Sequence, residues 1–430
     1  CTSGYASVQR TYAQKGRKAS ESYFGLQGER VLCTGGYAGF TQEYDENGNV
    51  TLLRYVDTLG SSVMIDKGYA TLIRSYNDAK KVVYQQWLDD QDQPVAVGNT
   101  YCALRRVYDA SGNITQEMYY DAQGAMTSCA AGYAMVVRSW SEQGMLIERY
   151  YSSEGVPVLC DKGYAIIRRD LDEKGNPTSI RYYDTQGLPV LCQNGYFEIR
   201  RTYDADGHAL YEAYLDTEGN LTVTDNTYAV IRRTYLGSDL VRVQYYGTDS
   251  LPVLIKAGYA RVDSTYDDQH RKLSDEYYGT DDAPILLPKG YASYTRVLDS
   301  AGYVLTQTYY GLDGQITLST DGYAEIRRTY DAAGHALLTA WFDASLSPVA
   351  PSDLYCAMER TYDADGHIQT ETYLDAQGEP TLCKKGYARI EKTYLPNGKA
   401  GSEHYYDTRL TPMAVADGYY GLENDYTDTG

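Results

Sequence analysis

Tyr355–Gly386 reads YCAMERTYDADGHIQTETYLDAQGEPTLCKKG, and Tyr196–Thr227 reads YFEIRRTYDADGHALYEAYLDTEGNLTVTDNT. The two stretches are one 32-residue unit written twice. A tyrosine opens every copy: Tyr5, Tyr37, Tyr69, Tyr101, Tyr133, Tyr164, Tyr196, Tyr228, Tyr259, Tyr291, Tyr323, Tyr355, Tyr387 and Tyr419. Eleven of the thirteen intervals are 32 residues and two are 31, so the register is kept across all 430 residues. A fixed period of this size is the signature of a repeat array, in which each unit buries its apolar face against its neighbours. Residues 1–430 are therefore expected to form a single array, cut inside a unit at both ends and covalently part of a longer polypeptide.

Counting the opening tyrosine as position 1, the first stretch alternates with period two, the mark of a half-buried antiparallel strand. Position 2 is nearly always Ala, position 4 is always apolar, and position 8 is Tyr except at Trp140, Leu171 and Leu298. Next comes Y-D-A-x-G, with Gly at position 12 in most copies, as in Gly112, Gly207 and Gly366. Asp first and Gly last suit a type I turn closed by a left-handed glycine, which predicts a hairpin. A second strand ends in an aromatic pair such as Tyr119-Tyr120. Position 19 is always Tyr or Trp, whereas position 20 tolerates Leu and Val and reads as core. A third short strand, x-P-V-L-C, is expected around Pro94, Pro189, Pro284 and Pro380, because Pro is tolerated at a strand start or free edge. Three strands per unit would invert successive units in a plain meander, so a coil is expected. The fold class is all-β: an elongated repeat array, a β-solenoid or β-hairpin spiral of about fourteen units with two to three short strands each.

Tyr outnumbers Phe 48 to 4, which means that the hydroxyls are wanted and the rings are more than filler. Position 6 is Arg although it falls on the apolar face: Arg106, Arg138, Arg169, Arg201, Arg233, Arg296, Arg328 and Arg360, with Arg10, Arg74 and Lys392. Acidic residues at positions 9, 17 and 21, such as Asp204, Glu212 and Asp216, and the Tyr rings are the expected partners in a structural ladder.

The rings at position 19 are the candidates for ligand stacking: Tyr119, Tyr182, Tyr214, Tyr277, Tyr309, Tyr373, Tyr405, Trp87 and Trp341. Many equivalent weak sites would gain by avidity on a polysaccharide or cell-wall glycan. The competing reading makes these rings interlocking structural ladders in a stalk or shell segment. Buried rings with satisfied hydroxyls favour the second reading, and open clefts favour the first.

A net charge of −19 argues against a nucleic-acid partner. No apolar run approaches a membrane span, so membrane insertion is not expected. No cofactor or metal is expected either. The five histidines sit mostly in or after turns and read as exposed turn residues, and every repeat carries similar acids, so no catalytic residue stands out. Six cysteines, Cys1, Cys33, Cys129, Cys160, Cys192 and Cys383, alternate with Ile, Val and Leu at position 29 and read as small buried hydrophobes. Cys102 and Cys356 replace Ala at position 2 in units that also hold Cys129 and Cys383, which suggests the disulfides Cys102–Cys129 and Cys356–Cys383. Such bonds would favour an extracellular or cell-surface location.

The strings YDENG (Tyr44–Gly48), YDASG (Tyr108–Gly112), YDADG (Tyr203–Gly207 and Tyr362–Gly366) and YDAAG (Tyr330–Gly334) resemble the YD repeats of Rhs-type and teneurin-like proteins. That resemblance implies β-hairpin spirals or shells on secreted or surface proteins, although YD repeats are shorter than these units. The stretch Tyr119–Ala134, YYDAQGAMTSCAAGYA, is similar in rhythm to choline-binding and glucan-binding repeats, which implies non-catalytic cell-wall or sugar binding and adhesion. Those repeats rely on Gly-Trp, whereas this chain has three Trp.

Overall fold

Each unit folds into a β-hairpin. The computed structural model describes residues 4–424 except 99, 352–353, 396–397, 416–417 and 419, so Cys1, the opener Tyr419 and Gly430 lie outside the described residues. Among the described residues there are 27 strands and one 3-10 turn, at Gln14–Gly16. No helix is long and apolar enough to cross a membrane. The chain divides into two compact units, one holding Cys1–Gly207 with Ala213–Thr224 and the other His208–Glu212 with Asp225–Gly430. Within each, strands pair antiparallel with their neighbours in sequence, as Ala103–Tyr108 does with Ile114–Tyr120 and Ala357–Tyr362 with Ile368–Leu374.

The hairpin turn follows from its residues. Gly112 has φ +85°, a left-handed backbone that a Cβ would strain, and its N–H donates to the Asp109 carbonyl. The Asp109 carboxylate accepts from the Asn113 N–H and side-chain amide. The second turn repeats the device: Asp121 Oδ1 accepts from the N–H groups of Gln123 and Ala125.

The third strand does not form. The x-P-V-L-C segment makes only an isolated bridge to the end of the second strand, for example Tyr183 to Pro189 and Tyr278 to Pro284. Its backbone bonds run instead to position 19 and to the next opening tyrosine, as Val190 N–H to the Tyr182 carbonyl and Cys192 N–H to the Tyr196 carbonyl. Proline fits because no partner asks for its missing N–H. The coil was expected from an odd strand count. Two strands restore an even count, and a simple meander then presents each repeat the same way round.

Register sorts the side chains. Position 4 lies opposite position 19, as Leu104 opposite Tyr119, and position 6 opposite position 17, as Arg106 opposite Glu117. These share one face, and the x-P-V-L-C segment covers it. Ile65 packs with Tyr69, Leu72, Trp87, Leu104 and Tyr119, with Val95, Val97 and Cys129 against them. Cys383 packs likewise with Tyr373, Tyr387, Ile390 and Tyr405. Positions 3, 5, 7, 16, 18 and 20 share the other, open face. The aromatic pair is therefore split between faces. Position 20, expected to be core, sits on the other side from position 19; it is buried at Val56, Leu88, Tyr183 and Leu215 and half-buried at Tyr120, Tyr246 and Tyr310.

Candidate functional site: the tyrosine face

Within each compact unit, rings from positions 1 and 19 alternate along the covered face. Tyr5, Tyr23, Tyr37, Tyr55 and Tyr69 follow one another, and Trp87, Tyr101, Tyr119, Tyr133 and Tyr150 continue the pattern. In the second unit Tyr355, Tyr373, Tyr387 and Tyr405 do the same. Centroid separations run from 4.4 Å to 6.3 Å, the spacing of favourable offset and tilted ring pairs. Each ring therefore has another ring where a sugar would have to lie.

The candidate stacking residues are placed accordingly. Trp87, Tyr119, Tyr182, Tyr214, Tyr309, Tyr373 and Tyr405 are buried, none above 9 % exposure. Tyr277 and Trp341 are half-buried, with Tyr277 between Tyr259 and Tyr291 and Trp341 against Tyr355. The ring row is interrupted by a cavity of about 510 Å³, lined by Tyr373, Tyr387 and Tyr405 with Glu371, Lys392 and Glu403.

Their hydroxyls are used internally. Tyr23, Tyr119, Tyr150 and Tyr405 donate to Glu21, Glu117, Glu148 and Glu403 two residues earlier, at 2.7–3.0 Å. Tyr373 donates to Glu371 in the same way. The same carboxylates accept from the position 6 cations across the hairpin: Arg10 to Glu21 at 2.8 Å, Arg106 to Glu117 at 2.5 Å, Arg360 to Glu371 at 2.6 Å and Lys392 to Glu403 at 3.1 Å. Arg74 and Arg296 use Gln85 and Gln307 instead. Position 17 is thus the acidic partner. The aspartates at positions 9 and 21, also expected to serve the arginines, cap the two turns.

In two of the repeats without an acid at position 17, an apolar residue stands there instead. Arg169 lies opposite Ile180 and Arg233 opposite Val243. Each reaches back one repeat, Arg169 to Glu148 at 3.1 Å and Arg233 to Glu212 at 3.9 Å. Glu148 also faces Arg138 at 4.0 Å. One nitrogen of Arg169 and one of Arg233 is left buried without a hydrogen bond. Arg201 also has a polar contact, while Arg328 lies opposite Thr339.

The electrostatics match this wiring. Burial alone would raise the Glu117 carboxyl, but the Tyr119 hydroxyl and the Arg106 guanidinium outweigh it and hold it below its ordinary range. Glu21 is likewise held at about 2 by Lys18, Arg10 and Tyr23 against the effect of burial. Burial, followed by the adjacent carboxylate, pushes the Tyr119, Tyr150 and Tyr373 hydroxyls well above the usual phenol range. Burial and then Cys129 raise Tyr133 to about 12.

Two sets of contacts were not foreseen. The position 8 hydroxyl donates to a backbone carbonyl 26 residues earlier, in the preceding hairpin: Tyr44 to Lys18, Tyr76 to Val50, Tyr108 to Val82 and Tyr362 to Ala336, at 2.7–3.0 Å. The Trp140 indole N–H makes the same bond to Ile114. The visible signal was that Trp, another ring with a donor at its end, is the one aromatic substitute. In addition, position 13 stacks on the next repeat's position 8 ring: His335 on Tyr362 and His367 on Tyr394, at 4.6 Å and 4.5 Å. These histidines are half-buried staples that also pair with Asp331 and Asp363, and not the exposed turn residues expected.

Cys102, Cys129, Cys356 and Cys383 are free thiols, so the two suggested disulfides are not formed. Cys129 and Cys383 lie in the ring clusters, while Cys102 and Cys356 sit outside them. Burial and then Asp121 or Asp375 raise the latter two thiols.

No family model matches this chain, and no curated protein matches it. Among solved structures it is similar to the Photorhabdus luminescens Tc holotoxin pore, with 12% identity, 93% of this chain and 22% of that chain covered, and a TM-score of 0.36. TcdB2–TccC3 matches with 12% identity, 94% and 25% covered, and a TM-score of 0.25. TcdB2–TccC3 without its hypervariable C-terminal region matches with 13% identity, 97% and 24% covered, and a TM-score of 0.29. The chain spans about a quarter or less of the length of these structures. Likeness at this level leaves the functional reading to the chain's own residues.

Proposed function

We propose that this chain is a non-catalytic structural segment, a stalk or shell wall that spaces or encloses another part of a longer secreted or surface polypeptide. One observation carries the reading: most rings of the covered face pack on other rings, and the position 17 carboxylates bind both a Tyr hydroxyl and an Arg or Lys, as Glu117 does with Tyr119 and Arg106. A row that spends its groups on its own members offers cohesion first. Multivalent glycan binding through position 19 would need the reverse, exposed rings with unspent hydroxyls.

The test is modular excision. Removing Tyr259–Gly322 joins Gly258 to Tyr323 in register, so a structural array keeps its far-UV circular dichroism per residue and its resistance to protease. Tyr119→Phe lowers the melting temperature, and no neutral glycan retains either the parent chain or the variant at high valency. Retention on a neutral glycan that Tyr119→Phe abolishes, with melting unchanged, would overturn the proposal in favour of carbohydrate binding through the ring row.

A further inference from the structure

The open face holds a cavity that the repeat pattern does not require. Strands Val82–Leu88, Ala103–Tyr108 and Ile114–Tyr120 lie side by side. Their register sets two rows across the face, Gln86–Ala103–Tyr120 and Tyr84–Arg105–Met118. Ala103 is the small member at the centre, between a long amide and a ring. A cavity of about 760 Å³ opens above it, lined by Tyr84, Gln86, Ala103, Arg105, Tyr120 and Asp121 among others; the Asp121 carboxylate is engaged by the Gln123 and Ala125 N–H groups of its turn. Small-molecule sites typically span ~300–1,000 Å³.

The combination is local to one junction. Position 16 is Tyr only at Tyr84 and Tyr211, and position 3 is Ala only at Ala103 and Ala357. Only here do a tall ring and a small centre meet. Arg105 also differs from its counterparts. Arg168, Arg232 and Arg327 lie over the Tyr183, Tyr246 and Phe342 rings of their own repeats, at 4.7, 4.8 and 4.1 Å. Arg105 is exposed as they are, but among the described residues no ring or carboxylate partners its guanidinium. Burial, then Tyr120, raises the Tyr84 hydroxyl, so it stays a neutral donor.

We propose that this cavity binds a pyranose bearing a carboxylate, that is, a uronic-acid unit of an acidic glycan. The Arg105 fork matches a carboxylate with two parallel N–H donors. Tyr84 and Tyr120 flank the space with apolar ring surface for the C–H edges of a sugar, and their hydroxyls and the Gln86 amide answer its hydroxyl groups. A bare anion such as phosphate would use Arg105 and leave both rings idle. The site lies on the face opposite the tyrosine stack, so its failure would leave the structural reading intact.

The test uses the whole chain and isothermal titration with glucuronate and galacturonate, free and as oligosaccharides, against glucose and galactose. Uronates should bind at least roughly tenfold tighter than the neutral hexoses, the worth of a charge-assisted hydrogen bond at ~1.4 kcal/mol. Arg105→Gln should erase that difference, Ala103→Leu should fill the cavity and abolish binding, and Ala357→Leu should change nothing. Inorganic phosphate should fail to displace the uronate. If Ala103→Leu fails to fold by circular dichroism, the exposed Arg105→Gln variant decides alone. Equal binding of hexose and uronate, displacement by phosphate, uronate binding untouched by Arg105→Gln, or no uronate binding at all would each overturn the proposal.

Discussion

The two faces of the hairpin sheet are built from the same strands and do opposite things. On the covered face, Tyr119 touches two rings and gives its hydroxyl to a carboxylate that also holds Arg106. On the open face, Thr361 and Thr370 share one exposed hydroxyl–hydroxyl contact of 2.8 Å and little else. Both faces bond one repeat to the next, since Ser179 donates to Glu198, Thr308 to Glu325 and Arg242 to Asp263 on the open face, but the ring row recurs along the covered face while the open-face groups change from repeat to repeat. That freedom is what lets a single junction acquire a cavity while the stack beneath it stays regular.

Substitutions should separate the faces by size of effect. Tyr119→Ala removes a buried ring from the middle of the stack and should cost about 3–5 kcal/mol in denaturant unfolding. Glu148→Gln comes next. It strands Arg138 and Arg169 together, and about 2–3 kcal/mol is expected, below a fully buried pair because the heads keep some solvent. Tyr108→Phe deletes one hydrogen bond to the Val82 carbonyl and should cost about 1 kcal/mol. Thr361→Ala, on the open face, should stay within about 0.5 kcal/mol. An open-face change as costly as Tyr119→Ala would break the contrast.

Acid should act on the paired carboxylates of the covered face, with a smaller effect per group, and also on the open-face Glu198 and turn aspartates such as Asp109, which are held low as well. Glu21, Glu117 and Glu403 are held below their ordinary value of 4.5, Glu21 at about 2. A depressed carboxyl adds stability above its unfolded pKa, and that stability is lost as pH falls through the folded value. Melting temperature should therefore be flat above about pH 5 and decline toward pH 2. Glu21→Gln should flatten part of that decline.

Much of this was legible in the sequence because the repeat aligns it with itself. The period, the Asp-to-Gly turn at Asp109–Gly112, the apolar position 4 and the inward arginine are all local or within one hairpin. The contacts that stayed hidden run between hairpins. Nothing in one copy says that Tyr108 reaches a carbonyl 26 residues back or that His335 lies on Tyr362. Those follow only once the meander sets which hairpins are neighbours. The proline segment misled for a related reason. Its composition suits a strand, but its partners are position 19 and the next opening tyrosine, so it crosses the covered face as a loop. The position 19 rings were legible as special, though sequence could not tell a ring facing a sugar from one facing another ring.

Alkaline titration tests the central claim most directly. Among the stacked hydroxyls, those of Tyr55, Tyr119, Tyr150 and Tyr373 are raised above the ordinary value of 10, and those of Tyr133 and Tyr387 to about 12, because burial penalises the phenolate. A group raised in the fold adds stability below its unfolded pKa, and that stability is lost as pH rises through the folded value. Phenolate absorbance at 295 nm and far-UV circular dichroism should be recorded together from pH 8 to 13. If the rings are internal structure, the buried tyrosines such as Tyr119 and Tyr150 ionise only in step with loss of the β signal. Smooth ionisation of nearly all the tyrosines near pH 10, with the β signal intact, would contradict it.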